Sequence, residues 1–132
     1  MACRFTELIV DARDPEALAR FWGEVLGWEI GESTDQIAWL KPPAPAVPLI
    51  VFVPVPDPKS VKNRIHIDVS PTDRSRDEEV ERLLALGARR ADVGQGEDVS
   101  WVVLADPEGN EFCVLGSRVD ADLTRRPWPD TE

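Results

Sequence analysis

A chain of 132 residues is one ordinary domain, long enough to bury a single core or two small halves packed together. Its formal charge of -10, from 25 acidic against 15 basic residues, leaves too little positive surface for nucleic acid. No run of about 18 apolar residues exists to cross a membrane. The opening Met1-Ala-Cys-Arg-Phe-Thr-Glu7 lacks the apolar segment of a secretory signal, so the cytoplasm is the expected compartment, where Cys3 and Cys113 stay thiols.

In chain order, Phe5 to Asp11 predicts a strand with Phe5, Glu7, Ile9 and Asp11 on one face and Leu8 and Val10 on the other. Asp14 as N-cap and Pro15 at the first helical position begin a helix over about 15–26, which carries an apolar stripe of Ala17, Leu18, Phe21, Trp22, Val25 and Leu26. Gly27 ends it. Strands are expected at Trp28 to Gly31, Gln36 to Leu40 and Leu49 to Val53, with a turn at Glu32 to Asp35 and a stiff proline loop before the last of them. The prolines of Pro54-Val-Pro-Asp-Pro58 cannot continue a sheet ladder and mark a linker.

The same order then begins again. Ile65, Ile67 and Val69 alternate with Arg64, His66 and Asp68, the pattern of a buried strand whose polar face lines a cleft or, in an edge strand, meets solvent. His66 is the only histidine. Ser75 with Glu78 forms a capping box for a helix bearing Val80, Leu83, Leu84 and Leu86, and Gly87 stops it. Strands fit Ala88 to Val93, Ser100 to Leu104 and Glu111 to Leu115, with Asp106-Pro107-Glu108-Gly109 turning the chain between the last two. Past Ser117 the charged tail with Pro127, Trp128 and Pro129 is expected outside the core.

Glu7 and His66, like Asp14 and Asp73, stand 59 positions apart, and Gly27 and Gly87 stand 60 apart. That spacing predicts a duplicated unit of strand, helix and three strands. The fold class is therefore α+β: two βαβββ modules, one over about 4–56 and the other over 62–117 in a domain spanning 1–117, with a tail over 118–132. One helix covers one face of each sheet, so the other faces are expected to pair into an open barrel with a cleft.

Asp14-Pro15-Glu-Ala-Leu-Ala-Arg-Phe21-Trp22, Leu26-Gly27-Trp28, Lys62-Asn63-Arg64-Ile65-His66-Ile67-Asp68 and Asp106-Pro107-Glu108-Gly109-Asn110-Glu111-Phe112 together resemble the glyoxalase-like branch of the vicinal oxygen chelate superfamily. The resemblance runs from about Phe5 to Gly116. It implies the paired βαβββ fold and a superfamily that includes glyoxalase I, extradiol dioxygenases, epimerases, fosfomycin-modifying enzymes and metal-free bleomycin-binding proteins. Fold alone does not choose among these.

The resemblance also implies metal positions on the first and last strands of each module. It places Glu7 and His66 in the site, with Cys113 and a residue near Val53 as the other two, while Glu111 shares strand parity with Cys113. Val53 offers no donor and a thiol replaces the usual carboxylate, so no tightly held cofactor is expected. The alternative is a divalent metal on Glu7, His66 and Cys113 with water as fourth ligand. Without a metal, His66 beside Glu7 is the candidate catalytic pair, a general base for a lyase, isomerase or epimerase.

The other function class is binding without chemistry, as in bleomycin-resistance-like proteins. Trp39 and Trp101 are placed either in the core or as walls for a flat ligand, with Arg64, Asp68 and Glu111 as further ligand-binding residues. An acidic protein with aromatic walls favours a cationic aromatic compound. The expected partners are thus an unidentified small molecule and a second copy in a homodimer, the latter following from the resemblance and the short proline linker.

Overall fold

The computed structural model describes residues 2–32, 34 and 36–127, so Ser33 and Asp35 of the expected turn and Trp128 of the tail lie outside the described residues. The chain divides into two compact units, Met1–Ser60 and Val61–Glu132. The fold is α+β, with one helix and one small sheet in each unit among the described residues.

In the first unit β1 (Glu7–Ala12), α1 (Pro15–Leu26), β2 (Ala38–Leu40) and β3 (Leu49–Pro54) form a sheet of order β1-β3-β2. The start of α1 is fixed locally, because the Asp14 carboxylate accepts the Ala17 N–H at 3.1 Å and Pro15 needs no partner for a missing N–H. Its end is fixed by Gly27, whose φ of 70° is a left-handed conformation that side chains disfavour. Leu18, Ala19, Phe21 and Trp22 are buried, and α1 packs on β2 and β3. Full burial of a large side chain of this kind stabilises the fold by about 1.5–3 kcal/mol. On β1 the side chains of Leu8, Val10 and Ala12 are more buried, whereas Glu7, Ile9 and Asp11 are exposed.

The second unit repeats the plan with β4 (Asp68–Val69), α2 (Arg76–Leu86), β5 (Arg89–Arg90), β6 (Val102–Ala105) and β7 (Glu111–Val114) in the order β4-β7-β6-β5. The expected capping box is present: Ser75 Oγ accepts the Glu78 N–H at 3.2 Å and Glu78 Oε1 accepts the Ser75 N–H at 3.1 Å. Val80 and Leu83 of α2 are buried together with Leu104, Phe112 and Val114 of the sheet. In both units the first strand runs parallel to the last, and the penultimate strand runs antiparallel to it.

Three strand expectations are corrected. Ile65 to Val69 is not a buried strand: β4 holds only Asp68 and Val69, and Ile65 is 81% exposed. Its ladder begins at the Ile67 carbonyl, which accepts the Cys113 N–H, although β7 extends two residues further back to Glu111, whose carboxylate accepts the Asn63 N–H instead. Trp28 to Gly31 shrinks to a single bridge between Ile30 and Leu40, at the place in its sheet that β5 takes in the other. Ala88 to Val93 shortens to Arg89–Arg90, because Asp92 turns away to bond the Gly94 N–H and Gly94 takes φ 86°. The first residues of the tail do dock, through the Val119 N–H on the Pro71 carbonyl at 3.0 Å.

The β6–β7 hairpin is held by a polar knot. Asp106 is 1% exposed, and its carboxylate accepts the backbone N–H groups of Glu108 and Asn110 at 2.9 Å and the Asn110 side-chain amide. Gly109 closes the turn at φ 92°. Removing a buried acceptor with several donors strands those donors in the interior. Asp106→Ala should therefore cost roughly 3 kcal/mol in urea unfolding, whereas a loss under about 1 kcal/mol would show that the turn does not hold the hairpin.

Candidate functional site

Hairpin register decides what the uncovered face of the second sheet presents. β6 and β7 pair Val103 with Cys113 and Ala105 with Glu111, and β4 pairs Asp68 with Cys113. Side chains directly opposite in a ladder share a face, so Asp68, Cys113 and Val103 stand side by side on the face away from Leu104, Phe112 and Val114. His66 lies two residues before Asp68 and points the same way, with Nε2 3.1 Å from Asp68 Oδ1. One donor atom each from His66, Asp68 and Cys113 lies within 4.8 Å of the others.

Around this cluster is an open cavity of about 400 Å3. Trp101, Val103 and Leu115 give it an apolar wall, and Lys62, His66, Asp68 and Glu111 give it a polar end. Glu111 Oε2 accepts the Asn63 N–H at 3.1 Å, so this carboxylate braces the segment that leads into His66. Burial pushes the Cys113 thiol above the ordinary thiol range, and the Asp68 charge and its hydrogen bond to the thiol add to the shift, while Lys62 opposes it. Asp68 thus touches both His66 and Cys113.

The residues singled out from sequence distribute as follows. His66, Asp68, Trp101, Glu111 and Cys113 all line this one cavity. Arg64 is exposed and outside the lining. Glu7 is an exposed residue of β1, and Trp39 is a half-buried residue of β2; both belong to the first unit. The Trp39 indole covers Gly31, where a Cβ would overlap the ring, so this glycine is required by close approach. Ladder position also refines the counterpart of Cys113: Asp68 faces Cys113 as Ile9 faces Val51, which makes Val51 the equivalent residue, as devoid of donors as Val53.

Val93, Gly94 and Gln95 line the cavity and were missed as site residues. The signal for them was Gly94-Gln95-Gly96, two glycines in three residues, which marks a loop closing over a strand end.

Residues 7–115 match the family described as a glyoxalase-like domain. The chain belongs to that family. Among solved structures it is similar to a glyoxalase/bleomycin resistance protein/dioxygenase family enzyme from Burkholderia phytofirmans PsJN, with 18% identity and a TM-score of 0.64 over 85% of this chain and 97% of that one. A glyoxalase-related enzyme from Fulvimarina pelagi gives 18% identity and a TM-score of 0.66 over 92% and 95% of the two chains. The fosfomycin resistance protein FosX from Mesorhizobium loti gives 13% identity and 0.65 over 89% and 94%. At these identities the likeness is one of fold. No curated protein matches the sequence.

This glyoxalase-like domain offers a metal one nitrogen, one carboxylate oxygen and one sulfur from a single unit. Such a set fits a four-coordinate ion with one open position and suits six-coordinate oxygen-seeking ions poorly. The raised thiol gives a direct prediction. In a Cys3→Ser background, Cys113 should alkylate with iodoacetamide at pH 8 more slowly than a free thiol. Asp68→Asn should speed it several-fold, since one of the groups favouring the neutral thiol is gone. Unchanged rates in Asp68→Asn would leave burial as the sole cause.

Proposed function

We propose that the domain binds a small organic molecule on the free face of the second sheet. The supporting observation is the combination in one cavity of an apolar wall with a few convergent polar groups, the usual make-up of a small-molecule site. Trp101 is 40% exposed, which leaves ring surface for a flat ligand. The cavity holds two carboxylates, Asp68 and Glu111, against one lysine, Lys62, and Glu111 is engaged by a backbone amide. The occupant that fits is a largely apolar, flat compound with one polar group directed at His66 and Asp68. This is the binding-module reading, in the manner of the drug-binding relatives.

A second reading, proton transfer of the isomerase, epimerase or lyase kind, draws support from the His66–Asp68 contact at 3.1 Å. A carboxylate that orients an imidazole is the arrangement a general base requires. The sequence pairs His66 with Glu7, and the carboxylate in contact with His66 is Asp68.

Amide NMR titration with neutral bicyclic aromatic fragments tests the first reading. Shifts should cluster at Trp101, Val103, Cys113 and Leu115, and Trp101→Ala should weaken binding about tenfold, equivalent to about 1.4 kcal/mol. Shifts confined elsewhere, or unchanged affinity in the variant, would remove it.

We also infer a homodimer. Phe5 and Ile9, on or beside the edge strand β1, and Val61 and Ile65, before the edge strand β4, are large exposed apolar residues that a second copy would cover. Sedimentation equilibrium at micromolar concentration should give twice the chain mass, and a monomer there contradicts the inference.

A further inference from the structure

We propose that a second cavity, at the open edge of the second sheet, is an anion subsite in which Arg76 and Arg90 take the carboxylate or phosphate arm of a flat ligand. The arginine subsite stands on its own geometry. Only the placing of the ligand's ring on Trp101 rests on the small-molecule reading.

This cavity exists because β5 is short. The last ladder bond at that edge runs from the Ala91 N–H to the Val103 carbonyl at 3.1 Å, after which the chain leaves β6. Gly94 and Gly96, at φ 86° and 76°, let residues 92–99 loop outward, and a Cβ on either would meet no atom within 4 Å. The loop shapes itself, through the Asp92 carboxylate on the Gly94 N–H and Gln95 Oε1 on the Val93 N–H. What it leaves against β6 is a space of about 300 Å3 lined in part by Arg76, Arg90 and Glu97. Gln95, Trp101 and Val103 line both this space and the cavity that holds His66, so the two share a wall.

Charge separates the two compartments. The first sets Asp68 and Glu111 against Lys62, whereas the second sets Arg76 and Arg90 against Glu97. In a chain of formal charge -10, an excess of arginine within a cavity runs against the composition. Net charge alone favours a cationic ligand, but the local charge at this edge favours an anion.

The two guanidinium groups are suited to that role in different ways. Arg76 is held in place, with Nη1 donating to the Ser100 carbonyl at 2.6 Å and Nε and Nη2 donating to Asp77 Oδ1 at 2.9 and 2.8 Å. A guanidinium carries five N–H donors, so these bonds leave two for a ligand oxygen. Arg90 meets Glu81 at 3.7 Å with side chains 62% and 73% exposed, a solvent-screened pair that a ligand anion displaces at little cost. Charge-assisted bonds from both arginines would then hold the anion more strongly than neutral donors could. The ligand class is an aromatic acid, with its ring on Trp101, its acid arm at the sheet edge and a neutral polar group toward His66 and Asp68.

NMR titration of the full chain with inorganic phosphate, naphthoate, naphthyl phosphate and neutral naphthamide tests this. Phosphate should shift the side-chain Nε–H resonances of Arg76 and Arg90 and leave that of Arg125 in the tail. At least one of the two acids should bind about tenfold tighter than the amide. Arg90→Gln should erase that preference while leaving the affinity for naphthamide unchanged, whereas a merely structural arginine would lower both affinities together. Arg76→Gln should act likewise, and Arg90→Gln decides the matter if circular dichroism shows that Arg76→Gln does not fold.

Equal affinity for acids and amide, an acid preference that survives Arg90→Gln, or phosphate shifts that extend to Arg125 would each overturn the proposal. Naphthamide still shifting Trp101 in that event leaves the small-molecule reading intact. Phosphate on Arg76 and Arg90 with no fragment at Trp101 supports the anion subsite and removes the small-molecule reading.

Discussion

Among the described residues each sheet of this domain has a single helix to cover it, and that constraint organises everything else. A four-stranded sheet has two faces, and Val80 and Leu83 of α2 bury only one of them over Leu104, Phe112 and Val114. The alternation of a strand then has no freedom left: residues of the opposite parity must occupy the uncovered face. Asp68, Val103, Glu111 and Cys113 are those residues, and the cavity is what their uncovered face leaves open. The polar cluster persists there because its members bond one another, which removes most of the cost of holding polar groups beside an apolar wall.

Parity is only as secure as register, and the Asp106 turn sets register. A slip of one residue between β6 and β7 would carry the Cys113 side chain beneath the helix and turn the Phe112 ring to the opposite face. The knot of Asp106, Glu108 and Asn110 resists such a slip by giving a buried carboxylate several donors available only in this turn geometry. A turn with no atom in the cluster therefore positions it. The Glu111 carboxylate does related work at the other end, tying Asn63 to β7 and so fixing the approach to His66.

What could be read from sequence was what local chemistry determines. The Asp14-Pro15 start, the Ser75 and Glu78 box and the two terminal glycines lie within a few residues of the backbone groups they satisfy, so both helices were legible. The strands were less so, because their extent depends on pairing with residues distant in the chain. Ile65 has the alternation of a buried strand, yet it lies outside β4 and is exposed. His66 and Cys113 were legible as candidate residues from the resemblance, and Asp68 from parity, and all three line the cavity. That Asp68 joins the other two depended on the β4–β7 register, a contact between residues 45 positions apart that no local pattern encodes.

The duplication supplies an internal control on this argument. β1 and β3 repeat the parallel pairing of β4 and β7, with Ile9 opposite Val51 where Asp68 is opposite Cys113. The two frames share strand order and helix placement but not the side chains at these positions. Backbone geometry is thus insufficient to make a donor cluster. The first module's pair supplies only apolar surface, and the second module's pair supplies a carboxylate and a sulfur beside the only imidazole in the chain.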